Sequence, residues 1–212
     1  NKYNALFGLN CQAKCNSFPG PCPEPQRGDD KAFKAQRQGD YAKQLLEEIP
    51  IDAARFFFNL REPNSHFDFD LELAAKQSSE NPVYYVQYAH ARICSILRKA
   101  QESGFELAEP TLEELNLLSS DEERELISHL SSLTSEIISA AKQYDPARIT
   151  HFVVELATLF HKFYNAHRVM CEDEGLMRAR LYLCTAVKNT IKNILSMLKI
   201  DAPEKMSLKQ TG

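Results

Sequence analysis

The chain of 212 residues carries a formal net charge of −4, with 43% hydrophobic and 25% charged residues, which is the balance of a globular protein with a buried core. No apolar run reaches the roughly 18 residues of a membrane-spanning helix, so no membrane partner is expected. The acidic balance argues against binding of DNA or RNA by charge alone, but allows recognition of an RNA by its shape and a few unstacked bases.

Residues 1–44 are predicted to form an irregular segment. Prolines and glycines are dense between Asn16 and Gly28, which excludes a helix there. Residues 1–9 have neither the basic start nor the apolar stretch of a signal peptide, so we expect a cytoplasmic protein.

Three cysteines, Cys11, Cys15 and Cys22, cluster in this segment. A structural zinc site usually has four ligands, often in closely spaced pairs, and three thiols at these wider spacings fit that pattern poorly. We therefore expect a reduced cysteine loop and no metal site. A small metal or redox protein is the weaker alternative.

The rest of the chain has helical periodicity. Short helices are predicted for residues 40–48, 51–60 and 68–76. The pair Asn81-Pro82 then opens a long helix, because asparagine is a good N-cap and proline suits the first helical position, and Gly104 closes it.

Three further long helices follow a short helix or loop at residues 110–118. They start near residues 120, 145 and 172, and the last ends before residue 201. No alternating strand pattern is present. The prediction is an all-α antiparallel helical bundle over residues 45–206, with a frayed tail at 207–212.

The segment NPVYYVQYAHAR at residues 81–92 is the most informative for function. In a helix, Val83, Val86, His90 and Ile93 form the buried stripe, with His90 expected to be a hydrogen-bonded core histidine. A neighbouring face then carries side chains that can stack on an unpaired base and bond to its edge. These are Tyr84, Gln87, Tyr88 and Arg92. The alternative is that the tyrosines only pack within the bundle.

A second candidate face lies on the third long helix. His161, Asn165 and Arg168 follow one another at spacings of four and three, which places them on one side of a helix. Such side chains can contact RNA phosphates, and a plain solvated face is an equally good interpretation.

Several segments together resemble one family. IDAARFFF at 51–58, SHFDFDL at 65–71, the segment at 81–92, HKFYNAHR at 161–168 and APEKM at 202–206 are similar to arginyl-tRNA synthetases, in that family's order. The resemblance runs from about residue 45 to residue 206. MRARL at 177–181 occupies the region that names the C-terminal DALR domain of this family.

The resemblance implies an anticodon-binding domain. Members are class I synthetases that join arginine to its tRNA with ATP and magnesium, and their helical C-terminal domain binds the anticodon arm. On this basis we expect Tyr84, Tyr88 and Arg92 to meet anticodon-loop bases and Asn165 and Arg168 to contact the RNA backbone, with Gln87 also among the tRNA-binding residues. Met206 is included because the family's chains characteristically end there, near this face. The implied partners are tRNA(Arg) and the parent's catalytic domain.

Two departures limit what the resemblance implies. The chain has no His-x-Gly-His sequence of the kind that cradles ATP in this family. In the register of the mobile lysine loop it has KAFK at 31–34, in which the lysines match and the Met-Ser pair does not. A chance match is favoured over a degenerate loop. We therefore expect no catalytic, cofactor or metal site in this chain, with ATP and magnesium belonging to the parent enzyme. The alternative is a freestanding, non-catalytic relative that binds tRNA or a protein partner.

Overall fold

The computed structural model describes residues 47–61, 69–105 and 108–206. Eight helices lie wholly within these ranges, and no strand occurs in them. They are α1 (Ile51–Asn59), α2 (Leu71–Ala75), α3 (Pro82–Glu102), α4 (Leu112–Leu115), α5 (Asp121–Ser131), α6 (Leu133–Gln143), α7 (Ala147–Ala166) and α8 (Glu174–Met197). The all-α prediction is confirmed. The irregular segment 1–44 and the tail 207–212 lie outside the described residues, as does most of the helix predicted at 40–48.

The start of α3 forms as the sequence predicts. Asn81 is the N-cap, and its Oδ1 accepts a hydrogen bond from the Val83 amide at 3.2 Å, with Pro82 in the first turn. The same side chain donates from Nδ2 to the carbonyls of Ala74 at 3.1 Å and Lys76 at 2.9 Å. Asn81 thereby joins the end of α2 to the start of α3, and its burial is explained by these bonds.

The long helix predicted to start near residue 120 is broken. Helix α5 ends at Ser131, and α6 starts at Leu133. The Ser131 and Ser132 hydroxyls donate to carbonyls three residues earlier, on Ser128 and His129, and the Ser132 amide also bonds to the His129 carbonyl. Such local bonds compete with the i to i−4 bonding of a helix, so the serine pair ends α5. The prediction of one continuous helix was wrong at this point.

Helices α5 and α7 are antiparallel. Glu122 pairs with His167, and Glu125 pairs with Lys162, while His129 Nε2 lies 3.0 Å from the Phe152 carbonyl oxygen. Residue numbers rise along one helix as they fall along the other, which is the expected arrangement of a helical bundle.

The core lies where α3, α7 and α8 meet, with α1 and α5 packed around them. Its largest fully buried apolar side chains come from five different helices: Phe56, Ile93, Leu126, Leu156, Phe160, Phe163, Leu181, Ile191, Ile194 and Leu195. Burial of such side chains stabilises the fold by about 1.5–3 kcal/mol each. Unlike Phe56 and Phe57, Phe58 of α1 is exposed, and it packs on Phe69 at a ring distance of 5.5 Å.

Candidate nucleic-acid interface

The four candidate residues of the segment 81–92 all lie on α3 and are partly exposed. The predicted stripe of Val83, Val86, His90 and Ile93 is buried, as expected. At 100° per residue, Tyr84 and Tyr88 occupy the middle of the outer face of α3. Arg92 lies on the side of this face toward α7, and Gln87 lies on the opposite side, toward the chain that follows α8.

An aromatic and cationic cluster joins α3 to α7. The Arg92 guanidinium carbon lies 4.3 Å from the centre of the Tyr164 ring and 5.6 Å from the centre of the Tyr88 ring. The Tyr88 ring in turn stacks on His161 at 6.0 Å. These are cation–π and stacking distances, so the positions of Arg92 and Tyr88 are set by α7. In the described part of the chain Arg92 forms no ion pair, and its charge is left available.

His161 lies inside this cluster and does not form the phosphate-facing row expected from its spacing. Its ring packs against Tyr85 at 4.9 Å and Phe160 at 5.5 Å. Burial, and after it the positive charge of Arg92, lower the pKa of His161 to about 4. Its Nε2 is buried with no hydrogen-bond partner among the described residues. At neutral pH the ring is therefore uncharged, and it acts as a flat packing partner for Tyr88.

On the other side of the face, Gln87 holds the chain that follows α8. Its Nε2 donates to the Asp201 carbonyl at 2.8 Å and to Asp52 Oδ2 at 3.2 Å. The same Asp52 oxygen accepts from the Asp201 amide at 3.2 Å, and Arg55 donates to the Lys199 carbonyl at 2.5 Å. The Gln87 amide group is thus already bonded within the domain, which is a structural role that its sequence position did not predict.

His90 holds the same stretch of chain one turn further along α3. Its Nδ1 lies 2.9 Å from the Pro203 carbonyl oxygen, and since a carbonyl only accepts, Nδ1 carries the proton. Burial lowers the pKa of His90, although the bond to Pro203 opposes the shift. The expectation of a hydrogen-bonded core histidine is confirmed. Asp201 and Pro203 are thus bonded to α3; residues 201–206 are hereafter the C-terminal segment, with Met206 partly buried at its end.

The second candidate face is only partly formed. Asn165 is exposed on the last turn of α7, one residue beyond Tyr164. The helix ends at Ala166, and His167 is extended, with φ −128° and ψ 135°. The exposed Arg168 therefore does not share a helical face with Asn165, and the prediction of one continuous row was wrong. The chain turns here because Val169 is buried and the Arg168 carbonyl accepts from Arg180 Nη1 at 2.9 Å.

Tyr164 is the member of the cluster that the sequence did not single out. It lies within HKFYNAHR, but nothing in its spacing shows that it meets an arginine on another helix. Within the described ranges, no three His, Cys, Asp or Glu side chains are placed to hold an ion, and Cys11, Cys15 and Cys22 lie outside those ranges. None of the described helices is long and apolar enough to cross a membrane.

Comparison with known proteins gives the family. Residues 86–206, more than half of the chain, match the DALR anticodon binding domain. The chain belongs to this family. The match includes Gln87, Tyr88, Arg92, Asn165, Arg168 and Met206, whereas Tyr84 lies two residues before it.

Proteins similar to this DALR domain are arginine–tRNA ligases. The ligase of Caldanaerobacter subterraneus subsp. tengcongensis is 52% identical over 164 residues, covering 77% of this chain and 29% of the ligase. That of Desulfitobacterium hafniense is 49% identical over 175 residues, covering 81% of this chain and 31% of the ligase. The solved arginyl-tRNA synthetase of Thermus thermophilus is 32% identical with a TM-score of 0.63, covering 73% of this chain and 26% of that one. The chain spans about a third of the length of these curated relatives.

Proposed function

We propose that this DALR domain binds the anticodon arm of tRNA(Arg) and positions it for a parent arginine–tRNA ligase. The catalytic domain of that parent would join arginine to the tRNA with ATP and Mg²⁺, and the protein would act in the cytoplasm. The family match and the ligase relatives support this assignment. The observation that carries the site is the cluster of Tyr88, Arg92 and Tyr164 on the outer face of α3 and α7.

The cluster suits an unpaired base for physical reasons. Tyr84 and Tyr88 are partly exposed rings one turn apart, and aromatic rings of this kind stack on bases of any identity. Arg92 keeps its full charge beside them, because a ring face holds the guanidinium without neutralising it. Such a cation can bond to a base edge or to a phosphate. The C-terminal segment starts at the edge of this face, where Gln87 bonds to Asp201, and we propose that Met206 at its end also contacts the RNA.

The test measures RNA affinity and stability on the same variants. Tyr88→Ala should weaken binding of a tRNA(Arg) anticodon stem-loop about tenfold or more, because base stacking is worth roughly 1–3 kcal/mol per base. Arg92→Ala should weaken binding and reduce its salt dependence by about one unit if the guanidinium meets a phosphate. Both variants should melt within a few degrees of the wild type.

Tyr144→Ala is the matched control. Tyr144 is 87% exposed at the turn between α6 and α7, where it makes none of the contacts of the cluster, so its removal should leave RNA affinity unchanged. Unchanged affinity of the folded Tyr88→Ala and Arg92→Ala proteins, with a large loss of melting temperature, would assign both side chains to packing alone. A wild-type chain that binds no tRNA(Arg) stem-loop would refute the proposed function and favour a relative that binds a protein partner.

A further inference from the structure

The outer face of α8 differs in charge from the rest of the domain. No Asp or Glu occurs between Gly175 and Ile200, although the whole chain has 29 acidic against 25 basic residues. Apart from Glu174 at its start and Met197 at its end, the exposed positions of this helix carry tyrosine, lysine, asparagine and serine, which are residues that commonly contact phosphate oxygens. They are Tyr182, Asn189, Lys192, Asn193 and Ser196.

Three lysines follow one line on this face. Lys188 and Lys192 are four residues apart on α8, and Lys199 follows seven residues later, just beyond the helix. None of the three forms an ion pair in the described part of the chain. Like charges four residues apart on a helix repel each other and destabilise it by a few tenths of a kcal/mol, roughly 0.2–0.5. No acidic side chain of the described residues lies within ion-pair distance to offset this repulsion.

Several cations elsewhere on the domain form ion pairs, whereas the three lysines form none with the described residues. Lys162 pairs with Glu125 at 2.6 Å, Arg148 pairs with Glu136 at 2.8 Å, and Arg178 pairs with Glu114. Charge is therefore distributed unevenly: acidic side chains of α5 pair with basic side chains on or next to α7, whereas the stretch of α8 that carries the lysines has no acidic residue.

Two hollows border this line, and residues of the C-terminal segment line both. The larger, about 500 Å³ in volume, lies between α3 and α8 and is lined by Arg98, Tyr182, Thr185 and Lys188. The second, about 470 Å³, is lined by Arg55, Lys192, Ser196 and Lys199. The acidic side chains in their walls are Glu109 and Glu204 in the first and Asp201 in the second. The cations outnumber these acids, and Lys188 and Lys192 also contribute, after burial, to the lowered pKa of His90.

From this arrangement we infer that the α8 lysine strip, defined as Lys188, Lys192 and Lys199, binds the sugar-phosphate backbone of the RNA whose bases meet α3. Lys188 and Ser196 lie about 12 Å apart along the helix axis at 1.5 Å per residue, a length that several consecutive phosphates of one strand would cover. An RNA is favoured over an acidic protein because the cations form a single line, which suits the regularly spaced phosphates of one strand. This inference rests on the proposed function and adds a backbone contact that neither Asn165 nor Arg168 supplies.

The test compares two double variants with the same change of charge. Lys188→Gln/Lys192→Gln should weaken binding of the tRNA(Arg) anticodon stem-loop about tenfold near 0.1 M salt, and should reduce the slope of log affinity against log salt by about two. Arg124→Gln/Lys142→Gln removes two exposed cations from α5 and α6, away from the strip, and should change both quantities little. Melting curves of both variants confirm that each remains folded.

The outcomes separate this inference from the proposed function. Equal losses for the two double variants would show a general effect of net charge and would overturn the lysine strip. A strip variant that binds like the wild type while Tyr88→Ala binds weakly would also overturn the lysine strip. In that case the proposed function would stand. A wild-type domain without affinity for the stem-loop would overturn both. A specific loss of affinity and slope in the strip variant supports the inference.

Discussion

Arg180 donates from Nε to Oε1 of Glu123 at 2.7 Å, across the contact between α8 and the first turn of α5. The Glu123 side chain is 1% exposed, and its second oxygen accepts from the Ser120 amide at 3.0 Å to close a capping box. Arg180 also donates to the Arg168 carbonyl. Burial alone would raise the pKa of Glu123, but the bonds from Ser120 and Arg180 outweigh it and lower the pKa.

The first prediction concerns this pair. Glu123→Gln should lower the free energy of unfolding by about 3–5 kcal/mol, because it leaves the Arg180 charge buried without its partner. Glu125→Gln is the matched control, since it removes the same charge two residues later from a pair with Lys162 that is about half exposed, and should cost less than about 1 kcal/mol. Both losses are measured from the midpoints of denaturant unfolding, provided that the slope of unfolding free energy against denaturant concentration is unchanged. Similar losses of unfolding free energy in the two variants would show that breaking the buried Glu123–Arg180 pair costs no more than breaking an exposed pair.

The second prediction concerns pH. The pKa of His161 is about 4 in the folded protein, against 6.5 for the free side chain, so between these values the unfolded chain binds more protons. Stability supplied by the neutral ring is complete above pH 6.5 and is lost as pH falls toward 4, by about 2–3 kcal/mol. His161→Phe keeps a ring of similar size and should remove this part of the pH dependence.

Unfolding free energies at pH 7 and pH 4.5 measure the effect. His151→Gln on the exposed side of α7 is the control, and it should follow the wild-type curve. The lowered pKa of His90 contributes a further loss that all three proteins share. If the His161→Phe protein loses as much stability on acidification as the wild type, protonation of the His161 ring is not the cause of that loss.

The third prediction concerns the attachment of the C-terminal segment. Asp52→Ala removes the oxygen that accepts from both Gln87 and Asp201, and the Asp201 amide should then exchange with solvent at least tenfold faster. The neighbouring Ile200 amide bonds to the Leu195 carbonyl at 2.9 Å, so its exchange should change much less. A hydrogen bond contributes about 0.5–1.5 kcal/mol net, so global stability should fall only modestly. Native-state hydrogen exchange measures all three quantities, and equal acceleration at both amides would indicate general loosening instead.

The sequence predicts best those helices whose first turn is set by contacts between residues that are close together in the chain. Asn81 and Pro82 define the beginning of α3 through contacts within a few residues, and the structure agrees. The break at Ser132 is different, because the apolar positions Leu126, Leu130 and Leu133 continue at helical spacing through it. The spacing of apolar residues shows which side of a helix is buried. It does not detect a single turn in which serine hydroxyls, donating to backbone carbonyls, interrupt the helix.

In the candidate site, too, some residues are placed by local sequence and others only by the tertiary structure. The placement of Tyr88 and Arg92 off the buried stripe follows from helix geometry, and both are partly exposed. Their partner Tyr164 is 72 residues from Arg92 along the chain, and no spacing within one helix predicts a contact with another. The end of α7 at Ala166 depends on the burial of Val169 and on a bond from Arg180, so the displacement of Arg168 also required the tertiary structure.

The attachment of the C-terminal segment has a consequence for synthesis on the ribosome. The hydrogen bonds from Arg55 to Lys199 and from Asp201 to Asp52 join residues 144 and 149 positions apart. Residues 199–203 are translated after all eight helices, so α1 emerges long before the chain that fastens it. Until those residues leave the exit tunnel, the nascent domain holds α1 by the apolar packing of Phe56 and Phe57 and by the bonds from Gln87 and Thr150 to α1. Contacts of such long sequence separation form late, because closing a long loop is entropically unfavourable.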